Sequence, residues 1–107
     1  MWHVIMMTIM GLSAAAETVT LPAGDGAAEE VAALPRQPAV AALVGALMER
    51  ADRMLVIRHA GGEAGAQRAT ALRDALVSLG VPSRRMRFEP AAAAPGELIL
   101  QLITDRQ

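Results

Sequence analysis

The sequence predicts a small α/β protein, an α+β two-layer sandwich in which helices pack on one face of a single small mixed sheet. Three runs are typical of strands, because each is alternating or continuously apolar: Glu17–Leu21, Met54–Ile57 and Glu97–Ile103. Two stretches between them have the apolar spacing of amphipathic helices. Glycines and prolines separate the segments. The resulting order is β-α-β-α-β. Small domains with this order typically form one sheet with helices packed on it.

The first sixteen residues have the composition of a secretory signal peptide. Val4–Leu12 is an apolar stretch of suitable length, and Ala14–Ala16 fits a small-residue cleavage site ahead of Glu17. The Lys or Arg that normally precedes the apolar stretch of a signal peptide is missing. The segment is shorter than the ~20 residues of a membrane span. We therefore predict that residues 1–16 are removed on export, that residues 17–107 form one domain, and that the mature chain has no stable membrane span.

The first part of the predicted domain contains a strand and a long helix. Glu17–Leu21 is rich in β-branched residues and ends at Pro22. Ala27–Leu34 has the composition of a short helical turn, and prolines follow it. A helix is expected from Pro38 to about Arg50, because Pro suits a first turn and one apolar stripe runs through it: Val40, Leu43, Val44, Leu47 and Met48.

The middle of the chain predicts a buried strand, a turn and a second helix. Met54–Ile57 is a continuous apolar run, as expected of a central strand. Three glycines between residues 61 and 65 predict a sharp turn. The second helix is expected over Ala66–Leu79 and ends at Gly80. Its apolar stripe is formed by Ala69, Leu72, Leu76 and Leu79.

The C-terminal part predicts one or two further strands. Met86–Glu89 is a candidate short strand, Pro90–Gly96 is a loop, and Glu97–Ile103 is the last strand. Because this strand comes last, we expect it at an edge of the sheet. Exposed edges pair with other strands, so the expected partner is a second copy, giving a homodimer, or another protein.

Composition excludes several classes of function. The net charge is −1, from 10 basic and 11 acidic residues, which does not favour nucleic-acid binding. Cys is absent, so disulfides and thiolate chemistry are excluded. His59 is the only His outside the predicted signal peptide, and the carboxylates are scattered. We predict no metal site and no cofactor.

Three segments between Gln37 and Met86 match the motifs of one family. Leu55-Val-Ile57 precedes Arg58-His59, then come Arg68-Ala69, and Leu76–Met86 has the sequence LVSLGVPSRRM. These resemble the L-x-I-x-G-H-T-D strand, the L-S-x-x-R-A helix and the L-x-x-x-G-V-P-x-x-R-I segment of OmpA-like C-terminal domains. The resemblance covers about half the chain. It implies the fold predicted above and a place in the cell envelope.

The resemblance also implies where a ligand would bind. In the family, an Asp two places after the His and the Arg of the helix together grip the peptidoglycan peptide. Arg68 matches that Arg, but Gly61 occupies the position of the Asp. Glu63 is a candidate substitute, and Arg58 and His59 complete the set of candidate ligand-binding residues. The missing acid predicts weak or no peptidoglycan binding, with a residual peptidoglycan binder kept as an alternative.

A second alternative is a small phosphatase or hydrolase. Arg58-His59 after an apolar strand resembles the R-H-G signature of histidine phosphatases, in which a His attacks phosphate and arginines hold the oxyanion. That chemistry needs a general acid and normally a second His, and His3 is the only other one. Arg84 and Arg85 are expected at the opposite end of the second helix, as a separate solvated basic cluster.

These observations together predict a non-enzymatic function. The chain is expected to be an exported, periplasmic binding or assembly module of the bacterial cell envelope, an accessory part of a larger envelope machine. Its signal-like N-terminus, its OmpA-like segment and the lack of a catalytic set of residues support this prediction.

Overall fold

The computed structural model describes residues 18–21 and 28–104. The elements, in chain order, are strand β1 (Thr18–Leu21), helix α1 (Ala28–Ala33), helix α2 (Pro38–Glu49), strand β2 (Arg53–His59), helix α3 (Gly62–Ser78), strand β3 (Met86–Glu89) and strand β4 (Leu98–Thr104). Single 3₁₀ turns over Leu34–Arg36 and Ser83–Arg85 precede α2 and β3. The predicted signal peptide lies outside the described residues.

The four strands form one mixed sheet in the order β1-β4-β2-β3. β2 and β3 are parallel, whereas β4 runs antiparallel to both of its neighbours, β1 and β2. The helices lie on this sheet, and the predicted α+β two-layer sandwich is therefore confirmed. The parallel β2-α3-β3 unit is a crossover connection, the one arrangement that joins neighbouring parallel strands in so short a chain.

The expectation that the last strand lies at an edge is wrong. β4 is central, paired along its length with β2 and with β1. Its helix-side residues Leu98, Leu100 and Leu102 are all buried, and the order of strands in the sheet does not follow their order in the chain. The edges of the described sheet are β1 and β3.

Alternation along the strands separates the two faces of the sheet. On β2, Leu55, Ile57 and His59 face the helices, whereas Val56 and Arg58 lie on the opposite face. The core forms between the helices and the helix side of the sheet. Its buried members are Leu21, Val31, Val40, Leu43, Leu47, Leu55, Ile57, Leu72, Leu76, Val81, Met86, Leu98, Leu100 and Leu102.

Helix α3 begins at Gly62, four residues before the predicted start. Gly62 and Gly65 are part of the helix and not of a turn that precedes it. Gly62 has a φ of +85°, which only Gly adopts without strain. Gly65 is buried inside the first turns of the helix. A Cβ at Gly65 would lie 2.6 Å from the carbonyl carbon of Ala60 and closer still to its oxygen. The helix therefore packs directly against the backbone at the end of β2.

The predicted end of α3 is confirmed. Gly80 has a φ of +103°, and the amide of Val81 donates to the carbonyl of Leu76 at 3.0 Å, as in helix ends closed by glycine. Leu79 lies beyond the helix and is exposed, and Met48 in the last turn of α2 is exposed too. Both were expected in buried stripes, and both are exposed because they sit at the helix ends.

The helices of the described part were compared with the length and hydropathy of membrane spans. No single helix of the described part is long and apolar enough to cross a membrane. One pair of helices reaches the required length and hydropathy when taken together, Glu30–Arg36 and Pro38–Glu49, but the two are bent by 66° relative to each other.

Candidate functional site

A cleft opens between α3 and the C-terminal ends of β2 and β3. Its volume is about 210 Å³. His59 contributes from β2 and Phe88 from β3, and α3 supplies the remaining lining residues: Ala66, Ala69, Thr70 and Arg73. The cleft therefore joins two parts of the sheet to one flank of a helix.

His59 is the buried polar side chain of this cleft. It is 6% exposed, and its Nδ1 lies 2.9 Å from the carbonyl oxygen of Ala60. A carbonyl only accepts, so Nδ1 donates in this contact. Among the described residues, no buried side-chain nitrogen or oxygen lacks a partner. Nε2 has no protein partner there, so it is the ring nitrogen that meets the open part of the cleft.

The rest of the cleft offers binding groups rather than a catalytic set. The Arg73 guanidinium forms an exposed ion pair with Asp74, at 3.0 Å, and such pairs contribute little. Thr70 adds a hydroxyl and Phe88 an apolar wall. The residues that line the cleft include no carboxylate, so the general acid that a phosphatase needs beside His59 is missing from this lining.

Arg58 lies on the other face of the sheet from His59, because neighbouring residues of a strand point to opposite faces. Its Nε donates to Glu89 Oε1 at 2.9 Å, and its Nη1 donates to Gln101 Oε1 at 2.6 Å. The guanidinium thus joins three strands on the side away from the helices. Arg58 and His59 do not share one anion site.

Glu63 and Arg68 lie on α3 outside the cleft. At roughly 100° per residue, Arg68 is about 70° to one side of the buried stripe of the helix and Arg73 about 70° to the other. Glu63 is exposed on the far side, where it accepts from Gln67 Nε2 at 3.4 Å. Of the four predicted site residues, only His59 lines the cleft, and the structure does not bring the four together.

Gly61 stands at the start of α3, where the family motif has its Asp. It occupies the N-cap in an extended conformation, with φ −70° and ψ 170°, and no side chain caps the helix. A Cβ here would meet Ala91 Cβ at 3.4 Å, an ordinary contact. The loop that carries Ala91 is held against β2 by the Ala92 amide, which donates to the His59 carbonyl at 3.0 Å. A Cβ therefore fits at position 61.

Sequence reasoning missed most of the cleft, although one signal was present. Ala66, Ala69, Thr70 and Arg73 follow the spacing i, i+3, i+4, i+7 and so form a second stripe beside the apolar one. Phe88 is the only Phe of the chain. Nothing in the sequence indicates that it meets that stripe, because the contact crosses from β3 to α3.

Arg84 and Arg85 were expected to form a solvated basic cluster. The structure places Arg85 elsewhere, against the end of α2. Its guanidinium donates to the carbonyls of Leu47, Arg50 and Arg53, at 2.7 Å to Leu47 and 3.0 Å to Arg53. These carbonyls lie at and just after the C-terminal end of α2, where the helix dipole is negative and no basic residue lies in the last turn. Arg85 therefore caps α2 from a distant part of the chain, while Arg84 is exposed.

A surface ion pair lies beside this cap. Arg50 Nε and Nη2 donate to the two carboxylate oxygens of Asp52 at 3.0 and 2.8 Å. The hydrogen bond from Arg50 lowers the pKa of Asp52 below its ordinary value of 3.8, against a smaller opposing effect of burial.

The described residues contain no group of three or more His, Cys, Asp or Glu side chains that could hold a metal ion.

Fold and site together define a class of protein, a small α+β sandwich with an open cleft at the C-terminal ends of two parallel strands. No protein-family model matches the chain, and a search of curated proteins finds no match. Among solved structures, the chain is similar to the crystal structure of the periplasmic domain of Helicobacter pylori MotB. The TM-score is 0.57 and the sequence identity 12%, over 83% of this chain and 81% of that one. At this identity, the similarity shows a shared fold.

Proposed function

We propose that this protein is an exported, non-enzymatic domain of the bacterial cell envelope that binds or assembles with another protein in the periplasm. The observation that carries the proposal is the fold shared with a periplasmic domain over 83% of the chain. The OmpA-like segments, among them Arg68-Ala69 and Leu76–Met86, support it. So does the signal-like composition of residues 1–16.

Cell fractionation with a C-terminal tag tests the export half of the proposal. We expect a periplasmic protein that is shorter than the translated chain by about the predicted signal peptide. The matched control carries Ala14→Leu and Ala16→Leu, which make the predicted cleavage site bulky, and it should accumulate uncut at the membrane. An uncut wild-type chain in the cytosol would disprove export.

Peptidoglycan binding should be weak or absent, because one half of the family's clamp is missing. The resemblance implies a carboxylate and an Arg that together hold a zwitterionic peptide end, and Gly61 supplies no carboxylate. Removing one partner of a desolvated charge pair costs a few kcal/mol, about a hundredfold in affinity. We expect wild type and Arg68→Ala to be retained equally, near background, on purified sacculi. Strong retention that disappears in Arg68→Ala would contradict this.

The variant Gly61→Asp tests whether the carboxylate is what is missing. The backbone at position 61 suits an N-cap Asp, so the variant should fold. Arg68 follows about 10 Å further along the helix, and helical side chains lean toward the N-terminus. We expect Gly61→Asp to increase retention on sacculi, and Arg68→Ala in that background to abolish the gain. No gain in a folded Gly61→Asp variant would mean that restoring this carboxylate does not rebuild the clamp.

A further inference from the structure

We propose that the chain forms a homodimer through the outer edge of β3, with two copies of the strand antiparallel about a two-fold axis beside Phe88. β3 pairs with β2 on its inner side, and within residues 18–21 and 28–104 no strand lies on its outer side. An open edge offers backbone donors and acceptors to another strand. The proposal goes beyond the envelope function and does not depend on where the protein resides.

The charges of β3 are self-complementary in this register. In an antiparallel pair centred on Phe88, Arg87 lies opposite Glu89 of the partner subunit, and Glu89 lies opposite the partner's Arg87. Both side chains are on the face away from the helices, where they approach within 3.7 Å inside one chain. Four charges then alternate around the axis, and opposite charges across strands stabilise pairing. Arg58 holds the Glu89 carboxylate in place, at 2.9 Å.

The helix side of the same edge supplies the apolar part of the interface. Phe88 is half-buried on this side and would lie against its copy at the axis. Val77 is 45% exposed. Thr70, Arg73 and Val77 follow the spacing i, i+3, i+7 and therefore lie on the same flank of α3. A second copy that continues the sheet brings the two α3 flanks together. The interface then has an apolar centre beside charged pairs, as stable interfaces do, and it covers the open side of each cleft.

The other edge has no comparable feature. The described residues of β1, Thr18–Leu21, carry no charge, so nothing there selects an antiparallel register with a second copy. The edge at β3 is therefore the one whose charge pattern fits its own copy, and a foreign strand would need to reproduce the same alternation of acid and base.

Sedimentation equilibrium of the purified full chain tests the proposal. We expect the mass to rise from monomer to dimer with concentration. Arg87→Glu places like charges opposite each other in both cross-strand pairs and should raise the dimer dissociation constant at least tenfold. The control Arg36→Glu makes the same change of charge on an exposed turn before α2, and it should leave the dissociation constant unchanged.

Mixing two charge variants separates the register from a general effect of charge. Arg87→Glu has two acids on the edge and Glu89→Arg has two bases, so each alone should be monomeric and an equal mixture should form a heterodimer. Circular dichroism checks that Glu89→Arg, which loses the partner of Arg58, still folds. Because the chain has no Cys, Phe88→Cys offers an independent readout: it should cross-link on oxidation, and Ser83→Cys should not.

A wild-type chain that stays monomeric up to several hundred micromolar would overturn the proposal. So would a dimer that Arg87→Glu leaves unchanged, or a folded pair of charge variants that do not associate on mixing. Capture of a different protein by the β3 edge of a monomeric chain would also count against it.

Discussion

Gly65→Ala should lower the free energy of unfolding by about 3 kcal/mol, a large fraction of the stability of a domain of this size. The added Cβ would lie 2.6 Å from the carbonyl carbon of Ala60 and closer to its oxygen. The obstacle is backbone, so it cannot rotate away, and either α3 or the end of β2 must move. This cost outweighs the helix propensity of about 1 kcal/mol that Ala gains over Gly.

The same change should alter the cleft, because the carbonyl that the new methyl strikes is the acceptor of His59 Nδ1. If the carbonyl moves, the ring loses the partner that fixes its tautomer. We expect the His59 ring signals in a nitrogen-proton NMR spectrum to shift in Gly65→Ala, in addition to the loss of stability seen by urea denaturation.

Gly45→Ala is the matched control, since it makes the same change in the other long helix. Gly45 is exposed, and nothing lies within 4 Å of a Cβ built there. Only the propensity gain remains, so the free energy of unfolding should rise by about 0.5–1 kcal/mol. Equal effects of the two substitutions would contradict the close approach of α3 to Ala60.

Arg85→Ala should lower the free energy of unfolding by about 2 kcal/mol, since hydrogen bonds to a charged group are the stronger ones. The guanidinium donates to the carbonyls of Leu47, Arg50 and Arg53, and two of these belong to the C-terminal end of α2. Without it, partly buried carbonyls lose a donor, and the negative end of the helix keeps only the hydrogen bond that Arg53 Nη1 donates to the Ala46 carbonyl at 2.9 Å. Thermal and urea denaturation measure the difference.

Arg84→Ala is the neighbouring control. Arg84 is exposed, and the described residues give it no hydrogen-bond partner, so its removal should change stability by less than about 0.5 kcal/mol. Arg85→Lys should fall between wild type and Arg85→Ala, because Lys keeps the charge but lacks the planar fork that reaches several carbonyls. Equal losses for Arg84→Ala and Arg85→Ala would show that Arg85 is not a cap.

The local pattern was sufficient for the fold class and for most element positions. The stripe Val40–Leu47 predicted α2, the apolar run Met54–Ile57 predicted β2, and Gly80 predicted the end of α3. Each of these is set by interactions within a few residues, namely helical spacing, strand alternation and the φ that only glycine adopts. The resemblance to the OmpA-like family pointed to the same fold.

The candidate site was predicted only in part. His59 was proposed as a ligand-binding residue at a strand end, and the structure places it in the lining of the cleft. Arg58 was paired with it because the two are adjacent in sequence, yet adjacency in a strand places side chains on opposite faces. The start of α3 was placed too late because Gly65 was taken as part of a turn, whereas the close approach to Ala60 requires it inside the helix.

By itself, the sequence determined the periodic elements, the C-terminal end of α3 and the two-layer arrangement, because these follow from backbone preferences and from burying one apolar face. Only the tertiary structure decided that β4 lies between β1 and β2, that Phe88 meets the flank of α3, and that Arg85 caps α2. These contacts join residues far apart in the chain, and their energies depend on where a strand or side chain lies in space. A periodicity of two or 3.6 residues carries no information about that position.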